Sequence, residues 1–306
     1  MPSFVECVPN FSEGRDRWKL EQIISAIRSV SGNWILDLHM DPDHNRSVIT
    51  FAGNPDSVGE AALRAVGEAV RLIDLSQHKG EHPRIGAADV VPFVPLLGVS
   101  MEECIRIAHQ TGMEIWNRYG VPVYFYEAAA LRPEHRNLAE IRHGSLEELK
   151  NEVLDNPARQ PDVGGPQLHS TAGATAVGAR EFLIAFNVNL NTPDVRIAKQ
   201  IAQMIRSSTG GLPSLKAIGV RMRSRGAEGQ AQVSMNLVDF RKTSLKEAFR
   251  ETENEAAKRG ITVASSELIG LIPNEAIQGT KPEELKLKNF TKSMIIENRL
   301  AEIVGK

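Results

Sequence analysis

Twice along this chain, strand-like and helix-like runs follow one another in the order β-α-β-β-α-β, and that repeated order leaves few architectures open. In the first round, residues 4–8, 34–38, 47–52 and 88–96 have the β-branched and aromatic character of strands. The helices between them are 15–30, with Leu20, Ile23, Ile24 and Ile27 on one face, and 56–72, entered through Asn54-Pro55. Pro92 and Pro95 push the last strand toward an edge or a bulged path. In the second round the strands are 182–190, 215–222, 231–239 and 261–265, and the helices are 195–205 and 245–258. The halves share no strong residue identity, so what repeats is the architecture.

Between the rounds lie a helix over 101–119, a strand over 122–126 and a Glu/Leu-rich helix near 145–154. Residues 156–177 then run irregularly, rich in Gly, Pro, Ser and Thr. A stretch of that length is either a lid or binding loop, or a linker between domains. The expected fold is α/β (α+β): two split β-α-β, ferredoxin-like subdomains with mixed sheets, one over 1–178 and one over 179–306, and a substrate cleft between them.

Composition narrows the function classes. With 42% hydrophobic and 24% charged residues over 306 positions, the chain has the make-up of a globular protein. A net charge of -2 supplies no general basic field for a nucleic-acid backbone, so an anionic ligand must be met locally. No secretory signal opens the sequence, and no apolar run approaches the roughly 20 residues that cross a bilayer. Cys7 and Cys104 sit among apolar neighbours, as buried reduced thiols do, and a cytoplasmic protein with no membrane partner is expected.

Three clusters carry possible chemistry. The first, residues 78–86, packs His78, Lys79, Glu81, His82 and Arg84 around Gly80, Pro83 and Gly86, which forbid a regular helix. Such a segment either presents polar groups at fixed angles or is a solvated charged turn. Its H-x-x-E-H spacing matches a zinc-peptidase pattern, but that pattern needs both histidines on one helical face, which Gly80 and Pro83 prevent. No metal is expected. The second cluster, Asp37 to Arg46, joins two strands and concentrates carboxylates, imidazoles and a guanidinium. The third, with Gly164-Gly165-Pro166 and a glycine-containing run from Gly173 to Arg180, meets neither nucleotide-binding fingerprint, although its open backbone amides suit a planar ligand or an anion.

Taken with Val5-Glu6-Cys7-Val8-Pro9-Asn10-Phe11-Ser12-Glu13-Gly14, His44-Asn45-Arg46, Gly80-Glu81-His82-Pro83-Arg84, Val121-Pro122-Val123-Tyr124, the stretch Phe182 to Asn187 and Ala231-Gln232-Val233-Ser234, these clusters resemble the formiminotransferase family over nearly the whole chain. The resemblance implies two α/β subdomains meeting at a substrate groove. It implies transfer of the formimino group of N-formimidoyl-L-glutamate to N5 of tetrahydrofolate, with release of L-glutamate in histidine degradation. It places the catalytic histidine at His82. The folate-contacting loop maps onto Gly164, Gly165, Pro166, Gln167, Leu168, His169, Ser170, Thr171, Ala172 and Gly173. Two departures stand out: His39 occupies a position that is acidic in mammalian members, and Thr171 or Ala172 replaces an aromatic near the end of the folate loop.

The donor so implied carries two carboxylates and an amidinium. Arg46, Arg84 and Lys79 match the carboxylates, and Asp37 or Asp41 the amidinium. Asn10 either orients a substrate through its amide or caps a turn. Glu81 either orients an imidazole or pairs with Arg84. Tetrahydrofolate is expected as co-substrate and a homodimer as the assembly. The alternatives are a formyltransferase linking N-formylglutamate and 5-formyltetrahydrofolate, a non-catalytic folate-binding module, and a metallohydrolase.

Overall fold

The computed structural model describes residues 3–80, 83–222, 229–288 and 290–304. The chain divides into two compact units, one ending at Glu181 and the other beginning at Phe182.

The first unit contains β1 (Phe4–Cys7), β2 (Asn10–Phe11), α1 (Arg17–Arg28), β3 (Asn33–Asp41), β4 (Arg46–Gly53), α2 (Val58–Leu72), β5 (Ala88–Leu97), α3 (Met101–Tyr119), β6 (Val123–Glu127), α4 (Leu138–Ile141), α5 (Ser145–Glu152) and β7 (Thr175–Ala179). Asp16 caps α1 by accepting from the Trp18 and Lys19 amides, which starts the helix two residues later than its apolar spacing suggests. The face Leu20, Ile23, Ile24 and Ile27 is buried as expected. Helix α3 opens on a reciprocal Ser100–Glu103 capping box and stops at Gly120, whose φ of 64° closes the last turn.

Seven strands form one sheet in the order β1-β4-β2-β5-β7-β6, with β3 on the outer side of β4. Helices α1, α2 and α3 cover one face, against Val5, Cys7, Phe11, Ile49, Phe51, Val91 and Phe93. Near β6 and β7, α4 and α5 cover the other face through Ile141, Leu149, Tyr124, Tyr126 and Ala176. β1 and β2 are two halves of one interrupted strand, both antiparallel to β4 and β5. The interruption lies opposite Pro92, where β5 lacks a donor, and the register of β5 shifts between Phe4 and Val5, close to Pro95. The prolines therefore bulge a strand that lies inside the sheet.

β7 lies where sequence indicated irregular chain. It is buried at all five positions and runs parallel to both β5 and β6. A strand covered on both faces shows no alternation, and its small residues are needed for space: a Cβ on Gly178 would come within 2.5 Å of the Tyr126 ring.

The second unit contains β8 (Ile184–Leu190), α6 (Val195–Ile205), β9 (Leu215–Met222), β10 (Gln230–Leu237), α7 (Leu245–Ala257) and β11 (Val263–Ile269), in the sheet order β11-β8-β10-β9. Mixed pairing was expected in both units, but here β8, β9, β10 and β11 pair with one another only in antiparallel fashion. Each β-α-β crossover skips one position, and a strand running the other way fills the gap. In the first unit the extra crossover β5-α3-β6 is filled by β7, which runs parallel, and this is what makes that sheet mixed. Both folds are split β-α-β arrangements, as the repeated element order indicates. Cys7 and Cys104 are buried and unbonded to each other.

Candidate active site on the first unit

Alternation along the strands sorts side chains to opposite faces. With Val5, Cys7, Phe11, Ile49 and Phe51 in the helical core, Glu6, Asn10, Val48 and Thr50 face away from α1–α3. β3 reaches Asp41, so Asp37 and His39 lie in the strand and not in a connecting loop; Leu38 and Met40 pack against the core and give the segment its period of two. The register sets Asp37 opposite Thr50, His39 opposite Val48 and Asp41 opposite Arg46, while Val48 also faces Asn10. Asn10, Asp37, Asp41 and Arg46 thus share one face of adjacent strands.

Arg46 is fixed there. Its Nη1 donates to Asp89 Oδ2 at 2.7 Å and its Nη2 to Asn10 Oδ1 at 2.7 Å. Asn10 Nδ2 in turn donates to the Val8 carbonyl, so its amide bridges the strand interruption to Arg46. Asp89 is fully buried; its Oδ1 accepts from the Ile85 amide at 2.8 Å, and its Oδ2 accepts from Arg142 as well as from Arg46. Burial alone would raise the Asp89 pKa, but Arg142, Arg46 and the Ile85 amide outweigh it and hold the carboxyl at about 2. Burial and the neighbouring Arg142 charge pull Arg46 down to about 10, against the attraction of Asp89.

Asn45 ties this hairpin to the residues before Glu81. Its Oδ1 accepts from the Gly14 amide at 3.0 Å, its Nδ2 donates to the Lys79 carbonyl at 3.1 Å, and its own carbonyl meets His78 Nε2 at 2.9 Å. Burial lowers the His78 pKa. Gly80 packs so tightly on the hairpin that a Cβ would lie 2.3 Å from the His44 carbonyl. The Lys79 side chain is exposed, and no helix spans 78–80. Asp41 accepts from the His44 amide at 2.9 Å, closing the hairpin turn. Arg84 is 8% exposed and donates to Glu147 of α5 at 3.0 Å. Glu81 and His82 lie outside the described residues.

The stretch 164–173 is anchored at both ends. At its entry Asp162 accepts from the Phe125 amide at 2.8 Å and from Arg132 Nε at 3.0 Å, and it meets His135 Nδ1 at 2.8 Å. Gly164 and Gly165 have φ of 75° and 79°, and the Gly164 backbone rests on the Trp116 ring. Pro166, Gln167 and Ser170 are exposed, while Leu168 packs against the core. His169 and Gly173 exchange backbone bonds of 2.9 and 3.0 Å, with His169 Nδ1 accepting from the Ala172 amide at 3.0 Å.

That hairpin is stitched to both flanks of the histidine-bearing segment. The Leu75 amide donates to the Thr171 carbonyl at 2.8 Å, the Ala87 amide to Ala172 at 2.9 Å, and the Ala174 amide to Ile85 at 2.9 Å. The first and third sequence clusters therefore share one backbone seam, and the second is joined to the first through Asn45.

Several groups on this face escaped the sequence. Glu6 is 2% exposed and no described residue hydrogen-bonds its carboxyl. Burial raises it to about 7, with the Arg180 charge pulling the other way. Tyr126 is also buried, and burial pushes its hydroxyl up to about 12 against the pull of the Arg180 charge. Glu6 and Asp89 each interrupt an apolar strand run, which is a readable sign of a buried charge with a purpose. Arg142 left no such sign among the charged residues around it.

Among the described residues, no group of three or more His, Cys, Asp or Glu side chains is placed to hold a metal ion. No helix among them is long and apolar enough to cross a membrane.

Comparison with known proteins addresses the whole chain. The profile of the formiminotransferase domain, N-terminal subdomain, matches residues 4–180, and that of the formiminotransferase domain matches 185–303. A glutamate formimidoyltransferase of Thermoplasma acidophilum is 44% identical over 97% of this chain and 97% of its own. One from Streptococcus pyogenes serotype M1 is 43% identical over 98% of this chain and 99% of its own. The Mus musculus formimidoyltransferase-cyclodeaminase is 43% identical over 90% of this chain, which spans 51% of that longer protein. With both profiles matched and full-length relatives at this identity, the chain belongs to the formiminotransferase family.

Proposed function

We propose that this enzyme transfers the formimino group of N-formimidoyl-L-glutamate to N5 of tetrahydrofolate and releases L-glutamate. The relatives that match end to end bear the name glutamate formimidoyltransferase, and this favours an amidine over a formyl donor. The observation that carries the reading in this chain is the seam between the stretch 164–173 and the flanks of residues 76–84. A folate held by the first stretch would be close to the second, where the family resemblance assigns the proton carrier.

N5 loses a proton as it attacks the amidine carbon, and the glutamate nitrogen gains one before the C–N bond breaks. One histidine titrating near neutrality can serve both steps, and we assign this to His82. Arg46, held by Asp89 and Asn10, presents a preset guanidinium for a donor carboxylate, and Asp37 and Asp41 on the same face suit the amidinium. Arg84 and Lys79 are the further carboxylate partners. Asn10 acts by orienting Arg46. Two buried thiols with no disulfide between them suit a reducing compartment, and we assign the enzyme to the cytoplasm as a homodimer.

The test is to mix purified protein with tetrahydrofolate and either formimidoyl- or formylglutamate and to follow glutamate release. Release from the formimidoyl donor that requires tetrahydrofolate is expected. Absence of release from both donors would sink the proposal, and release from the formyl donor alone would replace it.

A further inference from the structure

Arg142 comes from the turn between α4 and α5, remote in sequence from the strands, yet its Nη2 donates to the same Asp89 oxygen that Arg46 Nη1 holds at 2.7 Å. The other Asp89 oxygen is taken by the Ile85 amide. Arg142 therefore shares its carboxylate, and the described residues offer it no other ion pair. Its Nε is buried without a hydrogen-bond partner, and its Nη1 bonds to no described residue. The side chain is only 12% exposed. An arginine is costly to bring so far out of water, and one carboxylate oxygen shared with a second guanidinium does not neutralise it. A guanidinium held through Nη2, with Nη1 bonded to no described residue and the side chain still 12% exposed, is suited to a carboxylate from outside.

Resting on the formimino-transfer reading, we propose that Arg142 binds a glutamyl carboxylate of the amino-acid donor, so that Arg46 and Arg142, spaced by Asp89, form a two-armed clamp. The folate co-substrate also ends in a glutamyl group, so the chemistry recognised is the same in both. The donor is favoured because Arg142 converges on the Asp89 oxygen shared with Arg46, which Asn10 turns toward the face bearing Asp37 and Asp41. The folate stretch instead meets its neighbours by backbone bonds at Leu75, Ile85 and Ala87, none of which involves Arg46 or Arg142.

The experiment uses the full chain with Arg142→Gln and Arg142→Lys. KM is measured separately for formimidoylglutamate and for tetrahydrofolate, with direct titration of L-glutamate by calorimetry. In Arg142→Gln the donor KM should rise about 10- to 100-fold, with kcat and the tetrahydrofolate KM within about 3-fold of wild type. Arg142→Lys keeps the charge but not the fork, and should fall between. A donor KM left at the wild-type value overturns the proposal, and so does a rise confined to tetrahydrofolate, which would assign Arg142 to the folate tail. If Arg142→Gln does not fold, Arg142→Lys alone decides, since an unchanged donor KM there also overturns it. If wild type binds glutamate but transfers nothing, the transfer reading fails. Weaker glutamate binding by Arg142→Lys would then still uphold the clamp.

Discussion

Gly86 and Gly173 face each other across an antiparallel bridge with no room for a side chain on either. A Cβ on Gly86 would lie 1.9 Å from the Ala174 carbonyl, and one on Gly173 would lie 2.1 Å from that of Ile85. This close approach lets the end of the folate stretch and the flank of the histidine-bearing segment run as one ribbon.

Gly173→Ala tests the seam. Gly173 sits at φ of 70° as well as against a carbonyl, so alanine brings both backbone strain and a clash that only movement of the bridge relieves. A loss of about 2–4 kcal/mol in urea unfolding is expected, with a raised KM for tetrahydrofolate. Gly210→Ala, at φ of 89° but with nothing within 4 Å of its Cβ, is the control for strain alone.

Glu6 should make stability depend on pH in the neutral range. Its pKa is raised by burial from 4.5 to about 7, so the folded state holds a proton that the unfolded chain gives up. The associated stability is fully present below about pH 4.5 and is lost as pH rises through about 7. Between pH 5 and pH 8, wild type should lose roughly 2–3 kcal/mol relative to Glu6→Gln in chemical denaturation. Parallel stability profiles for the two proteins would show that Glu6 ionises normally in the fold.

Asp89→Asn leaves two buried guanidiniums without their common anion. A loss of roughly 3–5 kcal/mol is expected, the cost of stranding a buried charge. Arg142→Gln in the same chain should restore part of it, because it removes one of the stranded charges. A double-mutant cycle measures this, and additivity of the two substitutions would contradict the coupling.

The sequence revealed elements better than it revealed partnerships. In the second unit, residues 195–205 and 215–222 form the helix and strand that their periodicity indicates, since each has one buried and one exposed side. β7 was hidden because its five residues are small and buried on both faces. The far end of β3 was hidden because Asp37, His39 and Asp41 look like loop residues until Leu38 and Met40 are seen packing beneath them. Arg46 and Asn10 were legible as polar residues of the family motifs, but their shared contact with each other, and the Asp89 that locks Arg46, arise only from strand register. Arg142 reaches the site through tertiary packing of α4 and α5, which no local pattern encodes.

The most direct measurement is kcat for glutamate release from formimidoylglutamate at saturating tetrahydrofolate, for wild type and His82→Ala. Turnover by wild type that requires tetrahydrofolate, with kcat lowered about 10²–10⁴-fold by the substitution, is the expected result. A His82→Ala enzyme working at the wild-type rate would contradict the assignment of the proton carrier, and a wild type that releases no glutamate would contradict formimino transfer itself.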